Sequence, residues 1–395
     1  MPVDVSVVMI SHNKYPQNLY ALYALEKQTF DLSRMEVIMV DDASTDKTIR
    51  LQNYRPPFQF KYIRCEQNVG RSKAKNIGIA SAVGEVLIII DAEMILDPAY
   101  VEQHVKLHQA DPNLCVTGCS KHFHTFTVLD RKFNRVQLRQ LRRLNLKRPP
   151  LNRLKIRSLL KKYSKIKLFK KKGIFLRKYK NYAYPAPFFK KIVKRFGVHL
   201  EGFHLPYIFV ITQNISVRRS TFDKVGPFDE GFQGWGYEDW EFGYRLYRNG
   251  IKIFDNPNVN VYHQEHPRKI GNQNKDALIN YKYFYSRHPE FDVGVQSLCW
   301  VGKNIQTANE LVAEYKAMIH RYPHQYHHLV QAFLILFDQI FSLLISGMPV
   351  TKLMQRSETT REEHWNNAFI TELNLLKSSK EFPKLLAHLE WLISK

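Results

Sequence analysis

Two pairs of carboxylates are placed to do chemistry. Asp91 and Glu93, separated only by Ala92, follow the apolar run Leu87-Ile88-Ile89-Ile90. Acids so spaced at the end of a buried strand can share a diphosphate and its cation. Hard divalent ions take oxygen ligands, and Mg2+ uses one or two carboxylates together with substrate phosphates. The second pair, Glu238 and Asp239, lies in Gly234-Trp235-Gly236-Tyr237-Glu238-Asp239-Trp240-Glu241. These acids can hold and deprotonate a hydroxyl, and Trp235 and Trp240 offer apolar faces to sugar rings. Each pair also has a plainer explanation. The first could be an acidic turn, and the second a helix N-terminus, where acids are favoured by the helix dipole.

Three further groups accompany them. Asp41-Asp42-Ala43-Ser44-Thr45-Asp46 could accept hydrogen bonds from a base N–H or a sugar hydroxyl, or could simply cap a helix. Asn68-Val69-Gly70-Arg71-Ser72-Lys73-Ala74-Lys75-Asn76 combines a glycine that allows close backbone approach with cations that could meet phosphate at a helix start. Val259-Asn260-Val261-Tyr262-His263-Gln264-Glu265-His266 ends an apolar alternation with histidines, one of which could complete a metal site.

The elements that must position these groups alternate. Strands are predicted over residues 3–10, 36–40, 60–64 and 85–90, and helices over 16–28, 45–54 (capped by Ser44 or Thr45) and 72–82. Polar clusters fall where strands end. That is the pattern of an open, mostly parallel α/β sheet with its ligand at the carboxyl edge. The pattern resumes at 208–218 and runs to His263. Beyond about Asn272 the chain reads as mostly helical.

The net charge of +23 is local. Residues 131–200 hold 25 Lys or Arg and no acid, whereas the rest carries 34 basic against 36 acidic residues. Leucines, isoleucines and phenylalanines at spacings of three and four predict short amphipathic helices there, broken at Pro149-Pro150 and near Gly173. Such a stretch suits an anionic membrane surface or a polyanionic acceptor; nucleic acid is the less favoured partner. The four cysteines, Cys65, Cys115, Cys119 and Cys299, read as free thiols of a reducing compartment. No secretory signal is read at the N-terminus. The run Leu329–Ile345 carries Asp338 and reads as a buried helix.

In their order, these motifs resemble the inverting glycosyltransferases of family 2, with the GT-A fold. Asp41–Asp46 resembles the DDGSTD signature with Ala43 in place of Gly, and Asn68–Asn76 the N-x-G-x-x-x-A-R-N segment with Lys75 in place of Arg. Asp91-Ala92-Glu93 resembles the DxD metal motif. Asn214–Arg218, Gly226–Glu230 and Gly234–Glu241 are similar to the galactosyltransferase-type motif of chondroitin-polymerase-like enzymes. The motifs that carry the resemblance fall within about residues 3–120 and 205–268.

The resemblance implies roles. Asp42, with backbone near Ile10 and Ser11, would bind the base, and Arg71, Lys75, Asp91 and Ala92 would complete the donor site. Glu93 and His263 would hold Mn2+ or Mg2+, with His266 in reserve. Asp239 would be the catalytic base, and Glu238, Trp235 and Trp240 would hold the acceptor. The expected domains are a nucleotide-sugar half (1–130), a basic amphipathic insertion (131–204), an acceptor and catalytic half (205–270) and a helical C-terminal region (271–395). The expected function is transfer of a hexosyl or N-acetylhexosaminyl group, from a UDP-sugar by family habit, to a glycan, lipid-linked or polyanionic acceptor. The expected setting is the cytoplasm, including the cytoplasmic face of the membrane; the C-terminal helices leave an oligomer open. The alternative is a polyanion- or nucleic-acid-binding protein on a transferase-like scaffold.

Overall fold

The computed structural model describes residues 3–147, 160, 162–267, 270–356 and 362–395. It divides into two compact units. The first holds residues 1–201, 206–234 and 238–270, and the second 202–205, 235–237 and 271–395.

The first unit is built on four apolar runs that become parallel strands: β1 (Val5–Ser11), β2 (Met35–Asp41), β3 (Gln59–Arg64) and β4 (Val86–Asp91). β1, β2 and all of β4 but Asp91 are almost wholly buried, as continuous apolar runs in a covered parallel sheet should be. Short strands follow: β5 (Met94–Leu96), β6 (Leu114–Thr117), β7 (His122–Thr125), β8 (Val128–Asp130), β9 (Lys165–Lys167), β10 (Ala183–Pro185), β11 (Ile215–Arg218), β12 (Lys252–Asp255) and β13 (Val261–Gln264).

The main sheet has seven strands in the order β12-β6-β11-β4-β1-β2-β3. All run parallel except β11, which is antiparallel to both its neighbours. This is the open, mostly parallel sheet expected from the alternation, and it agrees with the GT-A fold that the resemblance implied. A second sheet, β10-β7-β13-β5, stands at the ligand side, and β8 and β9 form a separate pair.

Helices α1 (Gln17–Leu25), α2 (Arg71–Ala80) and α3 (Tyr100–Ala110) cover the sheet. α2 approaches closely because Gly78 has no side chain: a Cβ there would lie 2.5 Å from Val8 Cγ1 and 3.1 Å from Val40 Cγ2. On α3, His104 and His108 are buried, and both ring nitrogens meet the Ser216 hydroxyl at 2.8 Å. Burial pushes His104 well down and His108 down to about 4, so both are neutral core residues.

Two local expectations change. The segment after β2 is a 3₁₀-helix, Lys47–Asn53, and its cap is Asp46, not Ser44 or Thr45. Asp46 Oδ1 accepts from Thr48 N at 2.9 Å, while Ser44 N is drawn back to Asp41 Oδ1 at 2.9 Å. The basic segment is also not wholly helical. It forms α4 (Arg135–Lys147), α5 (Lys171–Phe175) and α6 (Pro187–Phe196), but β9 and β10 pair with β8 and β7. The alternation Lys165-Ile166-Lys167 is a period of two, which puts Ile166 on the apolar cluster of Phe126, Leu129, Phe133 and Leu141 and both lysines on the other face. The expected break at Pro149-Pro150 lies outside the described residues.

The second unit is helical. Its longest helices are Ile270–Arg287, Ile305–Arg321, His327–Ile345 and Glu363–Ser379. His327–Ile345 is the one helix among the described residues long and apolar enough to cross a membrane. Its Leu329, Phe333, Leu336, Phe337, Ile340 and Phe341 are buried in this unit, with Phe333 and Phe337 edge-on to Phe291.

Candidate active site

The carboxyl ends of β1, β2 and β4 share one edge because the strands are parallel and in register, with Ser11 opposite Asp41 and Ile10 opposite Asp91. The two aspartates that end β2 and its following turn are used differently. Asp41 is fully buried and accepts from Tyr62 Oη at 2.5 Å, Arg64 Nη1 at 2.6 Å and Ser44 N at 2.9 Å. Asp42 reaches across to the start of α2, where its carboxylate accepts from Val69 N at 2.7 Å and Gly70 N at 3.3 Å. Its backbone N–H donates to Ser11 O at 2.8 Å, which joins the β1 and β2 ends expected at the base. Ala43, between them and Ser44, has φ +53°, the left-handed conformation a glycine takes without strain.

Beyond β4, Glu93 is brought to the histidines by sheet pairing. β13 runs antiparallel to β5 with His263 opposite Met94, and Gln264 donates to Glu93 O from both its backbone and its side chain at 3.1 Å. Glu93 Oε1 then faces His266 Nε2 at 3.0 Å, His263 Nε2 at 3.7 Å and the Lys14 ammonium. Lys14 Nζ also lies 2.8 Å from His266 Nε2. Burial alone would raise Glu93, but Lys14, His263 and His266 reverse this and hold it well below the usual carboxylate range. Burial pushes His263 down to about 4, which keeps its imidazole neutral.

These residues fit a divalent cation. Glu93, His263 and His266 each offer a ligand atom within 4.8 Å of the others. The carboxylate is charged, and His263 is neutral and has a buried Nδ1 without a hydrogen-bond partner among the described residues. A Lys14 ammonium resting on the same atoms shows that the cluster attracts positive charge. His124 and Glu265 form a second such group with His263. There, however, Glu265 is engaged by Gln137 Nε2 at 2.5 Å and Tyr184 Oη at 2.7 Å.

Glu238 and Asp239 begin helix Glu238–Arg248. The helix N-terminus favours their ionised forms. Lys75, from α2, is almost fully buried and donates to Asp239 Oδ1 at 2.5 Å and Glu238 Oε1 at 3.1 Å. Its ammonium also lies 4.8 Å from the Phe228 ring centroid. Burial penalises that ammonium, but the two carboxylates outweigh the penalty and raise it above the ordinary lysine range. Thr212 completes the Asp239 shell, with Oγ1 on Oδ1 at 2.7 Å and N on Oδ2 at 3.0 Å. A carboxylate has about four acceptor positions. Among the described residues three are filled, and the one left is on Oδ2. The Asp239 side chain keeps 17% of its exposure against 6% for Glu238, so Asp239 is the acid a hydroxyl can reach.

Loss of hydration would lower Arg71, but the charges of Asp91, Glu238, Glu93 and Asp239 raise it. Asp91 is pushed up to about 6 by burial and by Glu93, against the pull of Arg71 and Lys75. Trp240 is half-buried on the helix after Asp239, whereas Trp235 is 42% exposed and belongs to the second unit with Gly236 and Tyr237. Within that unit Tyr237 stacks on Tyr281 at 4.7 Å and Asn280 Nδ2 donates to Gly236 O at 2.9 Å.

Two participants escape sequence reading. Thr212 has no motif signal. Lys14 had one, a cation just beyond β1 at the edge where β4 ends in acids.

A parallel sheet with a carboxylate pair at its edge, a carboxylate–histidine cluster beside it and a second acidic pair opening a helix defines a nucleotide-dependent transferase type of site. Comparison with known proteins gives the family. A profile described as "Glycosyl transferase family 2" matches residues 6–175, and one described as "N-terminal domain of galactosyltransferase" matches 195–267. The first match thus runs into the basic segment. The chain belongs to glycosyl transferase family 2 and carries a galactosyltransferase-type region after the basic segment.

Among its relatives is the "Uncharacterized glycosyltransferase YfnE" of Bacillus subtilis (strain 168), 31% identical over 67% of this chain and 66% of that protein. Others are the validoxylamine A glucosyltransferase of Streptomyces hygroscopicus subsp. jinggangensis, 25% identical over 76% of this chain and 64% of that protein, and the chondroitin synthase of Escherichia coli, 24% identical over 73% and 40%. The matched region spans at most 66% of the length of these three relatives. In structure, the chain is similar to S. aureus TarS 1-349 in complex with UDP-GlcNAc, with a TM-score of 0.49 and 15% identity over 98% of this chain and 91% of that one.

Proposed function

We propose that this chain is an inverting, metal-dependent glycosyltransferase that moves a sugar from a nucleotide-sugar, a UDP-sugar, to an acceptor hydroxyl. The observation that carries the reading is Lys75. Delivered from α2 on the donor side, its ammonium donates to both acids of the second pair, to Asp239 Oδ1 at 2.5 Å and Glu238 Oε1 at 3.1 Å.

Glu93, His263 and His266 would hold the cation, which when bound supplies positive charge to a departing diphosphate. The remaining roles belong to the protein's own side chains. Asp42 and the β1 end hold the base. Arg71 offers a fixed cation beside the phosphates. Asp239, through the unfilled position on Oδ2, accepts the proton of the attacking hydroxyl, while Thr212 and Lys75 keep its carboxylate oriented. Glu238 and the half-buried Trp240 hold the acceptor. A base on one side of the anomeric carbon and a leaving group on the other give a single displacement with inversion, and alignment of the two substrates removes much of the entropic barrier.

The acceptor in this reading is a glycan or other polymer, as the name of the chondroitin synthase relative suggests for that protein. The basic segment supports an anionic acceptor or membrane surface beside it. The test is a panel of nucleotide-sugars, scored for nucleotide release with and without Mn2+ or Mg2+. Metal-dependent turnover of one donor is expected. No binding and no turnover with any donor would overturn the proposal.

A further inference from the structure

A cavity of about 660 Å³ lies in the first unit, walled by residues outside the carboxylate site. Lys47 and Arg50 enter it from the 3₁₀-helix after β2, and Lys165 and Lys167 from β9, in the basic segment. Cations far apart in sequence therefore converge on one space. Because β9 alternates, both of its ammoniums share a face while Ile166 is anchored in the apolar cluster, so the strand presents the pair rather than letting it drift.

Among the described residues the only acid in the wall is Asp46, and both of its oxygens accept hydrogen bonds from the protein. Oδ1 accepts from Thr48 N at 2.9 Å and Thr48 Oγ1 at 2.5 Å, and Oδ2 from Tyr15 N at 2.8 Å. Asp130, opposite Lys165 across the β8–β9 pair, accepts from Lys132 N at 2.8 Å. Among the described residues none of the four cations is ion-paired to a carboxylate. Lys165 Nζ is 3.4 Å from Tyr15 O, and Lys167 Nζ is 5.0 Å from the Tyr15 ring centroid. Four cations against one carboxylate leave an excess of positive charge, and an anion reduces their mutual repulsion.

We infer that this cavity is a binding site for phosphate esters, separate from the nucleotide-sugar site. Its volume exceeds what one inorganic phosphate fills and is in the range that encloses a ligand of several groups. Its chemistry suits a run of phosphates on a soluble chain or the phosphate headgroup of a lipid. The inference does not depend on the proposed transfer reaction, since it rests on side chains that reaction does not use.

The test uses the full chain and sodium tripolyphosphate, titrated at constant ionic strength with sulfate as the control anion. Wild type should bind tripolyphosphate in preference to sulfate. Lys47→Gln/Arg50→Gln and Lys165→Gln/Lys167→Gln should each weaken binding by about tenfold or more. Lys190→Gln/Lys191→Gln, exposed basic residues outside the cavity, should leave it unchanged. Melting curves check that each variant is folded, and UDP affinity measured with Mn2+ should not move in any of them.

Vesicles of phosphatidylcholine with and without phosphatidylglycerol separate the sources. Cavity-dependent binding to tripolyphosphate alone assigns a soluble phosphate chain, and cavity-dependent binding to the anionic vesicles alone assigns a lipid headgroup. The inference is overturned if neither probe binds, if the Lys190/Lys191 variant loses as much as the cavity variants, or if UDP displaces tripolyphosphate.

Discussion

Lys75 Nζ lies 2.5 Å from Asp239 Oδ1, in a position where the lysine is almost fully buried. The acid proposed to deprotonate an acceptor is therefore held by a cation delivered from the donor-side helix. This ion pair and its branch to Glu238 add a charged link between two halves that sheet pairing already joins.

Replacing Asp239 by Asn keeps an acceptor for Thr212 but removes the base. We expect kcat to fall by about 100- to 10,000-fold with donor affinity near wild type. Turnover assays paired with calorimetric UDP binding measure both. Wild-type turnover would disprove the assignment of the base.

Lys75→Met leaves Glu238 and Asp239 buried without their counter-charge. Removing one partner of a buried pair costs about 3–5 kcal/mol. Lys75→Arg, which supplies the cation at the position where the family signature has arginine, should lose much less. Urea unfolding of the two variants gives the order; equal losses would show that the charge is not what matters.

Glu93→Gln and His263→Ala should each abolish Mn2+ binding measured by calorimetry, with the fold preserved in far-UV circular dichroism. Retention of metal binding by Glu93→Gln would move the cation elsewhere, and the His124, His263 and Glu265 group is where it would then be sought.

Stability should fall in acid because of α3. His108 has a folded-state pKa of about 4, below the unfolded value of about 6.5. Above 6.5 the residue is neutral in both states and the full stability is present. Below it the unfolded chain takes up the proton first, so stability is lost as pH falls from 6.5 towards 4, by up to about 3 kcal/mol. His104 acts in the same direction. Urea midpoints across this range should show the loss, and His108→Gln should flatten it. An unchanged slope in that variant would place the proton uptake elsewhere.

Ala43→Gly should stabilise the protein. A left-handed alanine costs about 1–2 kcal/mol, of which the greater chain entropy of glycine returns about 0.5–1 kcal/mol. The net gain, about 0.5–1 kcal/mol, should appear as a higher urea midpoint. A lower midpoint would mean that the methyl group makes a contact worth more than the strain.

Much of the site was legible because it sits where strands end. The runs before Asp41 and Asp91 are continuously apolar, and the parallel register brings their last residues to one edge without further information. What could not be read depends on contacts between distant segments. The partners of Lys75 are set by how α2 packs over β1 and β2, through Gly78, and not by its own neighbours in sequence. Thr212 reaches Asp239 only because β11 runs against its neighbours. The strand β9 was hidden by its lysines, whose charge suggested a solvated helix although the alternation was that of a strand. Asp46 displaced Ser44 as cap because the Ser44 hydroxyl oxygen is engaged elsewhere, accepting from Asn13 N at 2.8 Å.

The antiparallel course of β11 has a consequence for how this molecule can vary. The chain leaves the main sheet at Thr117 and returns at Ile215, and these two residues are direct partners across β6 and β11. Everything between them, the basic segment included, is tethered at two adjacent points on the ligand edge. The closure entropy of such an excursion grows only slowly with its length, about 0.6 kcal/mol for each doubling. The parts of the excursion that neither pair with a sheet, as β7 does, nor reach Asp239, as Thr212 does, can therefore lengthen, shorten or be exchanged over evolutionary time with little effect on the sheet. A new acceptor or a new surface could be acquired by replacing those parts while β7 and Thr212 stay in place.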